Sequence, residues 1–285
     1  MPGEPRTEPR IVLWHDGRLR DPAEPLVRAT DHGLTVGDGV FEACELLDGV
    51  PFALTRHLDR LERSAAGLGI PLPDRATVRR AVTEVAEAWG TELARIRILW
   101  TAGPGPLGSD AAWGPGTLLV AAAAVGAPAA VPVAVVPWTR NERSAIAGLK
   151  TTSYAENVRA LAWAHERGAG EAVFGNTRGE LCEGTGTNVF VERDGALLTP
   201  PLESGCLAGV TRAVVLEWAR EEGMDVREET LPLTALTEAE HAALTSSTRG
   251  VVPISAVDGR PLEPGPLTTR AAEIYTRRHV ATPDP

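Results

Sequence analysis

Lysine is nearly missing from this 285-residue chain: of 28 basic residues only Lys150 is one, and arginine supplies the rest. Arginine therefore serves wherever a fixed positive charge suffices. An amine can also shed its proton, attack a carbonyl and form a Schiff base, whereas a guanidinium stays protonated. The lone lysine is a candidate nucleophile. Cysteine is scarce as well, and Cys44, Cys182 and Cys206 show neither CxxC spacing nor an even count. They read as small core residues in a reducing compartment, with no disulfide framework and no metal site. No basic run offsets the net charge of −10, so the overall field repels nucleic acid and anionic lipid. No unbroken apolar stretch approaches the roughly 20 residues of a bilayer span. The start, Met1-Pro2-Gly3-Glu4-Pro5, has no basic segment leading into an apolar one. A cytoplasmic protein with small-molecule partners is expected, with neither membrane nor nucleic acid among them.

What is present is enough apolar residue, 43 %, to build two cores. Residues 1–9 are polar, rich in proline and expected to be mobile. Ile11–Trp14 continuing past Asp16-Gly17, and Phe41–Leu54 around Asp48-Gly49, read as hairpins. Thr55 is positioned to cap a helix carrying Leu58, Leu61, Ala65 and Leu68 and stopping at Gly69. Asp74 opens a second, carrying Val78, Ala81, Val82, Val85 and Trp89 up to Gly90. Strands follow at Ala94–Trp100 and Thr117–Ala123. The run Val125–Pro132 has no charge, two prolines and no clear period, which predicts a small N-terminal domain over 10–123, a linker over 124–131 and a larger domain over 132–285.

In that second part the pattern predicts a strand at Val131–Val136, a helix at Ser153–Arg167 and short strands through Glu171–Pro200. A helix at Ala213–Glu222, strands at Asp225–Leu231 and Ala243–Ser246, and a hairpin from Val251 complete it. Strand-rich halves with inserted helices predict an α+β architecture and argue against a wound parallel sheet with regular βαβ spacing.

A Schiff-base lysine serving pyridoxal phosphate needs an anion cup for the phosphate, a carboxylate at the pyridine nitrogen and a donor to the ring oxygen. Gly209-Val210-Thr211-Arg212 lies at the mouth of a helix, Ser246-Ser247-Thr248-Arg249-Gly250 closes an apolar strand with hydroxyls, and Glu183 ends another strand before small residues. Taken singly, each also fits an ordinary cap, loop or turn. Tyr154, four residues after Lys150, and Arg60, on the helix from Thr55, likewise fit plain packing or surface roles.

Their order along the chain says more. Gly37-Asp38-Gly39-Val40-Phe41-Glu42, His57-Leu58-Asp59-Arg60-Leu61, Lys150-x-x-x-Tyr154, Glu183-Gly-Thr-Gly-Thr-Asn188, Leu207-Ala-Gly-Val-Thr-Arg212 and Ser247-Thr248 together resemble the class IV aminotransferases. These are the fold-type IV pyridoxal-phosphate enzymes: branched-chain aminotransferase, D-amino acid aminotransferase and 4-amino-4-deoxychorismate lyase. The resemblance runs from about Ile11 to Arg277. It implies a two-domain α+β fold, pyridoxal 5'-phosphate as cofactor, amino acid and 2-oxo acid substrates, and a homodimer. It also implies that Lys150 is the covalent lysine and proton shuttle, that Glu183 pairs with the pyridinium nitrogen and that Tyr154 donates toward the ring oxygen. Arg60, Leu207, Val210, Thr211, Ser247 and Thr248 then form the rest of the cofactor site.

Within the family, Ala43 lacks the threonine hydroxyl that commonly ends the corresponding lyase segment, and Thr101–Gly108 lacks the arginine and histidine of the D-specific loop. Where branched-chain enzymes often show Tyr-x-Arg-Pro, this chain has Arg95-Ile96-Arg97-Ile98. An amino-acid aminotransferase running a ping-pong cycle is expected, with aminodeoxychorismate lyase as the alternative.

Overall fold

The computed structural model describes residues 9–126 and 128–285, so all but one residue of the expected mobile start lies outside the described residues. The chain divides into two compact units, the break falling after Gly126.

The first unit runs β1 (Ile11–His15), β2 (Arg18–Arg20), α1 (His32–Thr35), β3 (Gly39–Leu47), β4 (Val50–Pro51), α2 (Leu54–Leu68), α3 (Arg75–Trp89), β5 (Ala94–Thr101) and β6 (Thr117–Ala124). Its six strands form one antiparallel sheet ordered β2-β1-β6-β5-β3-β4. The helical stripes do what their spacing requires. Leu58, Leu61 and Ala65 of α2 and Val78, Val82, Val85 and Trp89 of α3 are buried with Ile96, Ile98 and Val120 of the sheet. Asp74 caps α3 by accepting from the Thr77 amide at 2.9 Å. Thr55 does not cap α2, because the helix already starts at Leu54. Its amide and hydroxyl instead donate to Asp284, which groups with this unit, at 2.9 and 2.6 Å. A distant carboxylate thus takes the place of a local cap.

The second unit runs β7 (Val131–Arg140), α4 (Ala155–His165), β8 (Glu171–Asn176), β9 (Leu181–Gly184), β10 (Asn188–Arg193), β11 (Ala196–Thr199), α5 (Val210–Glu221), β12 (Val226–Glu228), α6 (Thr234–Thr237), β13 (Ala242–Ser246), β14 (Gly250–Val257), β15 (Arg260–Pro261) and α7 (Pro266–Ala281). The sheet is ordered β12-β11-β10-β13-β14-β7-β8-β9, with β15 beside β14. It is mixed. β7 pairs in parallel with β8 and β14, and β11 with β12, while the remaining pairs are antiparallel. α4 closes one βαβ unit, yet no regular alternation follows, so the architecture is α+β.

Three boundaries differ from the expected ones in ways that matter. α4 begins at Ala155, which leaves Tyr154 at its N-cap, and α5 begins at Val210, which places Val210 and Thr211 inside the first turn. The strand expected over Asp225–Leu231 is shorter, Val226–Glu228, where it pairs in parallel with β11. α7 was not expected at all: its buried residues Thr268, Ala271, Ile274, Tyr275 and His279 include few large apolar side chains. Among the described residues no helix is long and apolar enough to cross a membrane.

Candidate active site

The second unit holds most of the residues singled out by sequence. Lys150 lies between β7 and α4 and is only 9 % exposed, an unusual place for the one lysine of the chain. Its Nζ lies 3.5 Å from the Tyr154 hydroxyl and 5.8 Å from the centre of that ring. The helix begins immediately after the tyrosine, which fixes the phenol at its N-cap.

Glu183 stands on β9 opposite Phe174 of β8. Oε2 accepts from the Leu207 amide at 2.8 Å, and Oε1 lies 3.5 Å from Nε of Arg140, the last residue of β7. The loop that follows is tied down by Glu171, a buried carboxylate at the start of β8. It accepts from the Thr185 amide at 3.1 Å, from the Thr185 hydroxyl and from Thr187 Oγ1 at 3.3 Å, with Arg249 Nη2 at 3.4 Å. Gly184 has no room for a side chain, since a Cβ there would overlap Thr187 Oγ1.

The first turn of α5 has no side-chain cap, so its backbone N–H groups point out of the helix end, where the dipole favours negative charge. The Thr211 hydroxyl is buried there without a hydrogen-bond partner, and those of Thr245 and Ser246 at the end of β13 are in the same state. Asn188 joins the two segments: it pairs with Thr245 in register, and its Nδ2 donates to the Leu207 carbonyl at 3.0 Å. Gly209 packs so tightly on Asn188 that a Cβ would overlap Oδ1. Ser247 and Thr248 form the turn after β13, with Thr248 buried. Buried hydroxyls lacking protein partners beside an uncapped helix start are an arrangement that a phosphate group satisfies. The residues present therefore fit a phosphate-bearing group.

Arg60 lies in the first unit. There Nε and Nη2 grip both oxygens of Glu42 at 2.7 Å, and His57 Nδ1 lies 2.7 Å from Glu42 Oε2, all three residues being buried. Burial by itself would push the Glu42 carboxyl up, but the charge and hydrogen bonds of Arg60, with those of His57, outweigh it and hold it well below the usual carboxylate range. Arg97 is exposed and stacks its guanidinium over the Phe41 ring at 4.0 Å.

Sequence reasoning missed Arg140, Asn157 and Glu171. Glu171 read as an ordinary strand start, and Arg140 touches a glutamate 43 positions away that no local pattern announces. Asn188 stood inside a quoted motif, but its grip on the α5 entry required the strand register.

The family model described as amino-transferase class IV matches residues 39–257. The chain is 33 % identical over 282 residues to a putative branched-chain-amino-acid aminotransferase of Methanocaldococcus jannaschii, covering 93 % of this chain and 95 % of that one. It is 30 % identical over 292 residues to a bifunctional aminodeoxychorismate lyase / D-amino acid transaminase of Mycobacterium tuberculosis, covering 93 % and 97 %. A solved structure of a hypothetical aminotransferase from Mycobacterium tuberculosis in its PLP-bound form superposes with a TM-score of 0.85 at 29 % identity, covering 95 % of this chain and 99 % of that one. With a lysine, a carboxylate and an anion cup in one unit, the chain belongs to the class IV aminotransferases, and its cofactor is pyridoxal 5'-phosphate.

Proposed function

We propose that the protein transfers an amino group between an amino acid and a 2-oxo acid by a ping-pong cycle, acting as a homodimer. The observation that carries the reading is the burial of the only lysine beside Tyr154, in the unit that also holds Glu183 and the uncapped start of α5. A primary amine, unlike a guanidinium, can serve as nucleophile and base.

Bound here, pyridoxal phosphate supplies the carbonyl for the covalent bond and the ring that accepts electrons. Lys150 Nζ is the nucleophile and the group that carries a proton to and from the substrate Cα. Glu183, oriented by the Leu207 amide, holds the proton on the ring nitrogen. The Tyr154 hydroxyl, within reach of Nζ, orients the amine and donates toward the ring oxygen. Val210, Thr211, Ser247 and Thr248 bind the phosphate with amides and hydroxyls. Arg60 is assigned to the phosphate by the family resemblance.

Ala43 offers no hydroxyl for a lyase-type elimination, which favours the transferase reading. The test is incubation with L- and D-amino acids plus 2-oxoglutarate, and separately with aminodeoxychorismate. Glutamate formed at the expense of an amino acid supports transamination; pyruvate released from aminodeoxychorismate with no glutamate in any mixture would replace it with the lyase.

A further inference from the structure

Arg140 is tied to several groups at once. It ends β7 just past an irregularity in the β7–β8 pairing between Val135 and Thr139, where it pairs with Asn176 of β8. The guanidinium lies 4.2 Å above the Phe174 ring, the residue opposite Glu183. Nη1 pairs with Glu156, and Nη2 donates to Asn157 Oδ1 at 2.9 Å, both in the first turn of α4. Asn157 in turn donates to the Thr185 carbonyl at 2.7 Å, two residues beyond Glu183. The remaining edge, Nε, is buried without a hydrogen-bond partner and lies 3.5 Å from Glu183 Oε1.

We propose that Arg140 is a positioning residue for Glu183, fixing the carboxylate that meets the cofactor's ring nitrogen and coupling it to the helix that follows Lys150. The proposal rests on the functional reading above. One oxygen of Glu183 is anchored by the Leu207 amide and the other faces the Arg140 guanidinium at 3.5 Å, so both edges of the carboxylate are constrained. A planar fork is required for this. One rigid group serves Glu183, Asn157 and Glu156 at once while stacking on Phe174, and a lysine ammonium offers a single point of charge with no flat face. A role confined to pinning α4 would need only the Glu156 and Asn157 edges. The Nε edge faces Glu183 as an ion pair at 3.5 Å, with no hydrogen bond to either α4 residue.

The experiment compares wild type, Arg140→Gln, Arg140→Lys and Glu156→Gln. Each apoprotein is titrated with pyridoxal phosphate for its Kd, and each holoenzyme is measured for the visible absorption maximum of the bound cofactor and for kcat and KM. Loss of a partner that orients a liganding group commonly costs about 10–100-fold. Arg140→Gln is expected to weaken cofactor binding about tenfold or more, to move the absorption maximum, and to lower kcat with little change in KM for the amino donor. Arg140→Lys falls between it and wild type, and it carries the test if the glutamine variant does not fold. Glu156→Gln, which cuts only the outer edge of the fork, keeps the wild-type Kd and spectrum. Wild-type Kd and spectrum in both Arg140 variants would overturn the proposal, as would a Glu156→Gln variant matching Arg140→Gln, since Arg140 would then act only by placing the helix. A wild-type protein that takes up no pyridoxal phosphate is a separate result, and it removes the functional reading itself.

Discussion

Replacing Glu42 by glutamine is expected to be among the most destabilising isosteric changes in the first unit. Three donors converge on this one carboxylate: Nε and Nη2 of Arg60, and the ring nitrogen of His57, each at 2.7 Å and all buried. A neutral amide of the same shape keeps one oxygen, which can still accept from two donors, and turns an NH2 toward the third. A hydrogen bond to a charged group contributes about 1.5–3 kcal/mol, so the one lost outright together with the weakening of the other two as the charge disappears costs about 3–6 kcal/mol. Stranding one member of a buried ion pair gives a similar figure of about 3–5 kcal/mol. At roughly 3–4 °C of Tm per kcal/mol for a unit of this size, a loss of about 3–5 kcal/mol lowers the melting temperature by about 9–20 °C. Urea unfolding of apoprotein at pH 7 measures the loss directly. The charge also dictates a pH signature. A carboxyl held well below its ordinary value contributes stability that is complete above the unfolded value of about 4.3 and is lost as pH falls below it. The gap between wild type and Glu42→Gln is therefore widest near neutrality and narrows in acid. Removing both partners, as Glu42→Leu with Arg60→Met, costs much less than the two single changes added together. A Glu42→Gln variant within about 1 kcal/mol of wild type would refute the argument that the cluster is a stabilised buried charge.

Three further outcomes are expected. Gly209→Ala, whose new Cβ meets Asn188 Oδ1, displaces the entry to α5 and weakens pyridoxal phosphate binding about tenfold, read by absorbance titration, while Gly186→Ala, with nothing near its Cβ, does not. The carboxyl of Glu45 is pushed up to about 7 by burial, so the native state holds a proton that the unfolded chain has released, and stability declines from about pH 4.3 to about pH 7. Glu45→Gln removes that slope, and its urea midpoint gains on wild type at pH 8. Glu183→Gln retains the cofactor but slows proton abstraction by at least about tenfold in single-turnover kinetics, since an amide cannot hold charge on the ring nitrogen.

Much of this was legible in the sequence where the determinants are local. Asp74 and the apolar spacing through Trp89 specify α3 within a single segment, and the Asp-Gly pairs at 48–49, 194–195 and 258–259 all fall at hairpin turns. Lys150, Tyr154, Glu183 and Thr211 stood out because amine, phenol, carboxylate and helix-start hydroxyl carry their chemistry in their type. What stayed hidden depends on contacts distant in sequence. Thr55 reads as a cap because nothing in its neighbourhood reveals that Asp284 supplies the acceptor. The contacts of Arg140 with Glu183, and of Glu171 with Thr185 and Arg249, arise from strand register and a break in the β7–β8 ladder. α7 escaped because its buried face is largely small or polar, so its periodicity is faint.

The central claim is that the single lysine is the covalent residue, and reductive trapping tests it most directly. Holoenzyme treated with borohydride, digested and analysed by mass spectrometry is expected to carry a reduced pyridoxyl group on the peptide containing Lys150, while Lys150→Ala carries none and turns over no amino acid. A wild-type protein left unlabelled after reduction, or a Lys150→Ala variant with near-normal turnover, would contradict it.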